Sequence, residues 1–289
     1  MGRGLRLNIT NKGGFKVCLT CGKHMQQAWY LDPKSHQARR GIGGAVDEWL
    51  DTIMYPVIVW PGVRSIAKRQ SGEKYTGVSR FLWDRLTLLL HGFTVMPDPE
   101  WAFRALDMTT DVVLSHCSCR KAMAPDLPLE WKCLGLGVAA GVTRDTDAQP
   151  FKDISREQAK DLVATKWTEG CFLSIGWRRG AYANWMCLCD QWCGGLKTPE
   201  LEYGMTPSIF VMSLTPRKCD DCQACVKACH FQAFRVIEGK VIHDQTRCHG
   251  CGQCTRVCPT GALDFVPRER YFDIRQGGFV EVPRRMIPV

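Results

Sequence analysis

Cysteine carries the chemistry of this sequence. There are 17 in 289 residues, an odd total that complete disulfide pairing within one chain cannot absorb, so metal ligation is the leading explanation. Eight of them form two runs of the same spacing, Cys219, Cys222, Cys225, Cys229 and Cys248, Cys251, Cys254, Cys258, the second followed by Pro259. Each run is C-x2-C-x2-C-x3-C, the spacing that serves iron–sulfur cubes. Three cysteines three residues apart on a tight loop reach three corners of one cube, and the fourth ligand must come from elsewhere. Zinc is the competing reading. It prefers two separated ligand pairs around a tetrahedron, and three ligands on one loop, twice over, do not offer that.

With its proline, the doubled motif resembles the two-[4Fe-4S] ferredoxins over about fifty residues. The resemblance implies a crossed ligand set. One cluster would use Cys219, Cys222, Cys225 and Cys258, and the other Cys248, Cys251, Cys254 and Cys229. His230 departs from the pattern, standing where the first motif usually has proline. A cube whose four irons all carry cysteine accepts one electron and binds no substrate, so the resemblance implies electron transfer, with catalysis elsewhere.

A second constellation lies upstream: His116-Cys117-Ser118-Cys119-Arg120, then Cys133, then Cys187-Leu188-Cys189 and Cys193. A shared metal is expected to take each C-x-C from a bend or loop. Trp131, Trp185 and Trp192 stand close enough in sequence to exclude water. Residues 111–265 resemble multi-cluster iron–sulfur proteins of anaerobes, with a Cys-x-Cys-Arg segment, a capped helix, a cysteine-dense segment and a C-terminal dicluster ferredoxin. That likeness implies at least one further iron–sulfur cluster, drawn from Cys117, Cys119 and Cys133 with one of Cys187, Cys189 and Cys193. Asp190 and Trp192 stand where the pattern often carries more cysteine, so zinc and redox-active thiols stay open as alternatives. Arg120 and Lys121 would stabilise the centre's negative charge, or form a solvated basic turn.

Cys18 and Cys21, with His24 nearby, are a weaker metal candidate, because one C-x-x-C closes no tetrahedral site without distant ligands such as His36. Cys171 reads as a small buried hydrophobe. Gly135-x-Gly137-x-x-Ala140 meets the loose dinucleotide fingerprint, but no hydrophobic strand is expected before it and no acidic residue follows in context, so close packing is the preferred reading. GxxxxGK[ST], GxSxG and HExxH motifs are absent from the sequence, and no residue is assigned as catalytic.

The elements that must position these thiols suggest an α+β chain: a mostly helical N-terminal and middle region, then a two-cluster ferredoxin-like βαββαβ module. We divide it into an N-terminal helical docking region (1–110), a cysteine-bearing middle region with an expected extra cluster (111–205), the 2[4Fe-4S] ferredoxin domain (206–265) and a basic tail (266–289). Asp98-Pro99-Glu100 opens a helix, with an acid at the N-cap and proline at the first position. Ser155 and Gln158 form a capping box for a second helix whose apolar face is Ala159, Leu162, Val163 and Trp167 and whose end is Gly170. Asp111 to Leu114 and Ile209 to Met212 read as strands. A hairpin is expected from Phe234–Ile237 and Lys240–His243 around Glu238-Gly239. The tail's five arginines, Arg268 among them, suggest a docking arm.

The formal charge of +9 points less to nucleic acid than it first suggests. Each all-cysteine [4Fe-4S]2+ site adds about −2, so three would leave about +3. Apolar stretches are too short or too broken by proline to span a bilayer, though peripheral docking stays open. With no apolar leader at the N-terminus and so many thiols, a reducing cytoplasm is the expected setting. The expected function is an electron-transfer subunit that passes single electrons to or from a catalytic oxidoreductase partner in an anaerobic complex. The alternative is an iron–sulfur enzyme or reductive activator with an incompletely cysteine-ligated middle cluster, for which Asp190 or His116 would supply a non-cysteine ligand.

Overall fold

The computed structural model describes residues 9–10, 16–17, 29–31, 33–36, 91–123, 126–146, 150–178, 183–190, 205–268, 270–273 and 278–281. Cys18, Cys21 and Cys193, with most of the arginine-rich tail, lie outside the described residues. A short antiparallel pair, β1 (Ile9–Thr10) and β2 (Lys16–Val17), comes first.

The centre of the fold is a seven-stranded sheet. Its strands are β3 (His91–Met96), β4 (Val112–His116), β5 (Trp131–Leu136), β6 (Phe151–Asp153), β7 (Phe172–Arg178), β8 (Ala183–Cys189) and β9 (Met205–Thr206), in the spatial order β6-β4-β5-β8-β7-β3-β9. Neighbours are antiparallel except β3 and β9. Side chains alternate between the two faces of such a sheet. One face collects Met96, Leu134, Leu136, Leu173, Ile175, Met186 and Leu188 under the helices Pro99–Met108 and Arg156–Thr168, which contribute Ala102, Ala105, Leu106, Ala159 and Val163. Burying each large aliphatic side chain contributes about 1.5–3 kcal/mol. The opposite face carries Phe93, Val95, Cys133, Phe172, Trp185 and Cys189, and Cys251 packs against it from far along the chain. Cys133, Cys187 and Cys189 thus lie on the face away from the two long helices.

Both helix starts read from the sequence are present. The Asp98 carboxylate accepts from the N–H groups of Glu100 and Trp101, and Ser155 and Gln158 cap reciprocally. Gly170 follows the second helix with φ +99°. The expectation of a mostly helical middle region is not met, because strands outnumber helices among the described residues, while most of the N-terminal region lies outside them. The physical reason is burial on both faces. Stretches such as Trp131–Leu136 and Ala183–Cys189 become near-continuous apolar runs without the alternation that marks a half-exposed strand.

After β9 the chain enters a β-α-β-β-α-β unit. This comprises β10 (Phe210–Leu214), the helix Ala224–Ala228, β11 (Phe234–Ile237), β12 (Lys240–His243), the helix Gln253–Val257 and β13 (Leu263–Pro267). β10 pairs antiparallel with β13, and β11 with β12. The β11–β12 turn is Glu238-Gly239, both at positive φ. A final pair, β14 (Arg270–Asp273) and β15 (Gly278–Glu281), follows.

The glycine-rich fingerprint meets a strand after all. Gly135 lies in β5, and Gly137, at φ +52°, turns the chain into the helix Val138–Thr146. Yet β5 is flanked by antiparallel β4 and β8, so the parallel crossover of a dinucleotide fold is missing among the described residues. A Cβ on Gly135 would stand 2.8 Å from Val113 Cγ2 and 3.4 Å from the Trp185 ring, which explains this glycine by packing alone.

Candidate metal centres

The two cysteine runs fold as a structural repeat. Residues on either side of the middle cysteine adopt left-handed conformations in both loops: Asp221 (φ 57°) and Gln223 (φ 63°) around Cys222, Gly250 (φ 65°) and Gly252 (φ 73°) around Cys251. These reversals curl each loop tightly, and a short helix then carries the third cysteine. At its end the fourth cysteine accepts a backbone N–H from the residue four further on: Ala233 N to Cys229 Sγ at 3.2 Å, Ala262 N to Cys258 Sγ at 3.3 Å.

The fourth thiol turns away from its own loop. One cavity is lined by Cys219, Cys222, Cys225 and Cys258, and another by Cys229, Cys248, Cys251 and Cys254. The first, outer site is the more open, with Cys222 exposed and Cys219 and Cys258 partly so. At the second, inner site Cys248, Cys251 and Cys254 are buried.

Electrostatics at these thiols favour a cationic core. Burial, followed by repulsion from neighbouring cysteines, pushes the Cys254 thiol far up; burial also raises Cys251 to about 12 and Cys225 to about 11. At Cys258 burial is outweighed by hydrogen bonds from Thr260, Ala262 and Gly261, and its thiol is lowered. Thiolates crowded into an apolar pocket need positive charge among them to stay ionised. Among the described residues no three His, Cys, Asp or Glu side chains converge as a single metal ion would require.

The inner site also has a buried cation. Arg268, 6% exposed, donates to the carbonyls of Ser208 (2.9 Å), Phe210 (3.0 Å) and Cys248 (2.6 Å), and burial lowers its pKa to about 10. A buried cation held by carbonyls alone is costly unless a negative group lies nearby, and a thiolate-bound iron–sulfur core is such a group. The residues present therefore fit the cofactor that the motif implies.

The upstream cysteines also come together. Cys133 on β5 is the direct cross-strand partner of Cys187 on β8, and Cys189 lies two residues on along the same face. Cys117 stands in the bend after β4 and Cys119 in the first turn of the helix Ser118–Met123, whereas Cys187 and Cys189 lie within strand β8, where residues two apart share a face, so the expected bend is absent from the second C-x-C and is not needed there. Cys119 hydrogen-bonds Cys117, and this contact, then burial and the charges of Cys117, Cys187 and Cys133, raises its thiol well above the ordinary range. At Cys187 the bond to Cys133 lowers the pKa but is outweighed by Cys189 and burial. Five of the six predicted cysteines thus form one group.

Two other expectations resolve differently. The Asp190 carboxylate takes the Lys132 ammonium at 2.5 Å and Arg120 at 3.3 Å, so it is committed to cations rather than offered to a metal. Arg120 is buried, not a solvated turn, and also pairs with Glu130. His116 lies edge-on to Trp131, with ring centroids 3.9 Å apart. Cys171 is buried in the helix-side core, as expected of a small hydrophobe.

Sequence reasoning missed the bridge between the two cysteine regions. Phe172 on β7 contacts Phe231 (centroids 5.1 Å) and His230 (5.1 Å), and Phe231 stacks on His249 at 4.0 Å beside Cys248. Phe172, Cys117, Cys133, Cys189, Cys251 and Phe231 belong to one apolar cluster. Gln253 ties the same junction by donating to the carbonyls of Cys171 (2.6 Å) and Trp167 (3.2 Å). The sequence signal was His230 itself, the residue that breaks the ferredoxin pattern.

Comparison with known proteins agrees with this geometry in the C-terminal part. Residues 218–262 match the family described as a 4Fe-4S dicluster domain. The archaeal-type glutamate synthase [NADPH] of a Thermotoga species is 38% identical over 71 residues, 24% of this chain and 14% of that protein. The formate dehydrogenase iron-sulfur subunit of Wolinella succinogenes is 37% identical over 76 residues, 26% of this chain and 37% of the relative. One subunit of the tetrathionate reductase of Archaeoglobus fulgidus is 39% identical over 72 residues, 24% and 33% of the two chains. The matches therefore span well under half of each of these relatives. No helix among the described residues is long and apolar enough to cross a membrane.

Proposed function

We propose that this chain is an electron-transfer iron–sulfur subunit that passes single electrons to or from a catalytic partner in an anaerobic, cytoplasmic oxidoreductase complex. The observation that carries the reading is the pair of crossed cysteine quartets, each around its own cavity. Cys219, Cys222, Cys225 and Cys258 would hold one [4Fe-4S] cluster, and Cys248, Cys251, Cys254 and Cys229 the other. When bound, such a cube supplies one-electron chemistry at a potential set by burial, charge and hydrogen bonds to sulfur. The protein's part is to hold the thiolates, exclude water and set that potential. Ala233 and Ala262 direct N–H groups at the crossed cysteines, and Arg268 brings positive charge to the inner site.

We assign a third iron–sulfur centre to Cys117, Cys119, Cys133, Cys187 and Cys189. Five thiols exceed what a cube requires, and Asp190 is held by Lys132, so neither observation favours an open, substrate-binding iron. The Phe172–Phe231 contact supports a relay running from this centre to the inner ferredoxin site and on to the outer one. Two of the relatives are named as subunits, one of a formate dehydrogenase and one of a tetrathionate reductase, which supports a separate catalytic chain as partner.

The test is the count of iron and acid-labile sulfide after anaerobic purification, expected at about twelve irons per chain for three cubes. Cys258→Ser should remove the outer cluster, and Cys229→Ser the inner one. Cys133→Ser should remove the third. A preparation holding zinc and no sulfide would sink the whole reading.

A further inference from the structure

Three cations are buried among the described residues: Arg120, Lys132 and Arg268. The first two share the carboxylates of Glu130 and Asp190. Arg268 differs, because its three bonds all end on carbonyl oxygens, those of Ser208, Phe210 and Cys248. No carboxylate among the described residues answers its charge. The outer half of the repeat is flanked differently. At the outer site Asp220 accepts from Cys222 N, and Asp221 lies 3.8 Å from Cys219 Sγ, with exposed Lys240 as its counter-ion.

We propose that Arg268 is the internal counter-charge of the inner ferredoxin site, a positioning residue that selectively raises the potential of the cluster held by Cys229, Cys248, Cys251 and Cys254. The proposal rests on the two-cluster reading above. Adding an electron makes an all-cysteine cube more negative, which a buried apolar site resists, and a fixed cation beside Cys248 offsets that resistance. The charge acts locally, since the outer quartet has its own carboxylates and its own access to water. The inner site is also the one that touches the Phe172 cluster, so its reducibility governs whether an electron can cross between the ferredoxin unit and the large sheet.

The experiment is a redox titration of the anaerobically purified full chain, read by electron paramagnetic resonance, for wild type, Arg268→Gln and Arg268→Lys. Gln keeps donors for the carbonyls and loses the charge; Lys keeps the charge. In Arg268→Gln one ferredoxin signal should become at least tenfold harder to reduce, a fall of about 59 mV for a one-electron couple. The signal that moves should be the one abolished by Cys229→Ser. The other signal, and both signals of Arg268→Lys, should stay at the wild-type values. Unmoved signals in Arg268→Gln at full iron content, or equal movement of both, would overturn the proposal and reduce Arg268 to a strap between carbonyls. If Arg268→Gln loses iron, Arg268→Lys decides: wild-type potentials support the counter-charge, and a lowered inner potential rejects it. Wild type lacking sulfide-bound iron would instead defeat the underlying reading, before any variant is compared.

Discussion

His230 places its Nε2 2.7 Å from the carbonyl of Gly170, so the residue that replaces proline after the first cysteine run is bonded to the end of the capped helix on the large sheet. The carbonyl can only accept, so Nε2 is the donor in this bond. Phe172 lies against the same imidazole. His230→Ala should lower the unfolding free energy by about 1 kcal/mol, the ordinary contribution of one hydrogen bond, while leaving the iron count unchanged. Chemical denaturation of the anaerobic protein measures the first quantity and metal analysis the second. Loss of iron with unaltered stability would show that His230 serves a cluster rather than the junction.

Lys132 has no exposed side-chain surface, and its ammonium sits between Asp190 and Glu130. Breaking a buried pair strands a charge, at a cost of about 3–5 kcal/mol. Asp190→Asn should fall near the lower end of that range, because Glu130 remains 3.3 Å from the ammonium. Lys132→Met combined with Asp190→Asn should recover most of the loss. Equal destabilisation in the single and double variants would argue that Asp190 acts through the adjacent Cys189 instead.

Burial holds the His243 pKa down at about 4, against an ordinary value of 6.5, while its ring stacks on Phe234. Burial disfavours the imidazolium, so below pH 6.5 the unfolded chain binds a proton that the folded chain refuses. His243 therefore contributes fully above pH 6.5, and this contribution is lost as pH falls towards 4, by at most about 1.4 kcal/mol per pH unit. His243→Phe should flatten that loss. The measurement is the difference in thermal midpoint between the two proteins from pH 7.5 to 5, and a difference that stays constant across the range would refute the assignment.

Local rules reached some of these features and missed others. The Ser155–Gln158 box, the Asp98 cap and the Glu238-Gly239 hairpin are specified by a few adjacent residues, and they stand where the sequence suggests. The paired Cys133 and Cys187 depend on strand register across 54 positions of chain, which no local pattern encodes. Lys132 inside an apolar run beside a cysteine was the available hint, since a charge there must find a partner. Arg268 reads as one more arginine in a basic tail, because only the fold brings it beneath Cys248.

The repeat also contains its own control for loop geometry. Gly250 and Gly252 have no space for a side chain: a Cβ on Gly250 would collide with the Phe210 carbonyl, and one on Gly252 with the Pro97 carbonyl and with Phe265 Cζ at 2.6 Å. At the equivalent positions of the first loop Asp221 is half-buried and Gln223 exposed, so side chains are accommodated there despite the same left-handed backbone. For Asp221 the strain is offset by its acceptance from Val241 N at 2.9 Å and from Lys240. Gln223 shows no side-chain cap, so Gln223→Gly should relieve a left-handed penalty of about 1 kcal/mol and raise the thermal midpoint. Gly252→Ala faces both the strain and the collision, and should release iron from the inner site while the outer cluster survives. Iron content together with the thermal midpoint reads both variants. A Gly252→Ala protein with full iron and an unchanged midpoint would mean that the second loop is not pressed against Pro97, and that the inner site is not held by the large sheet.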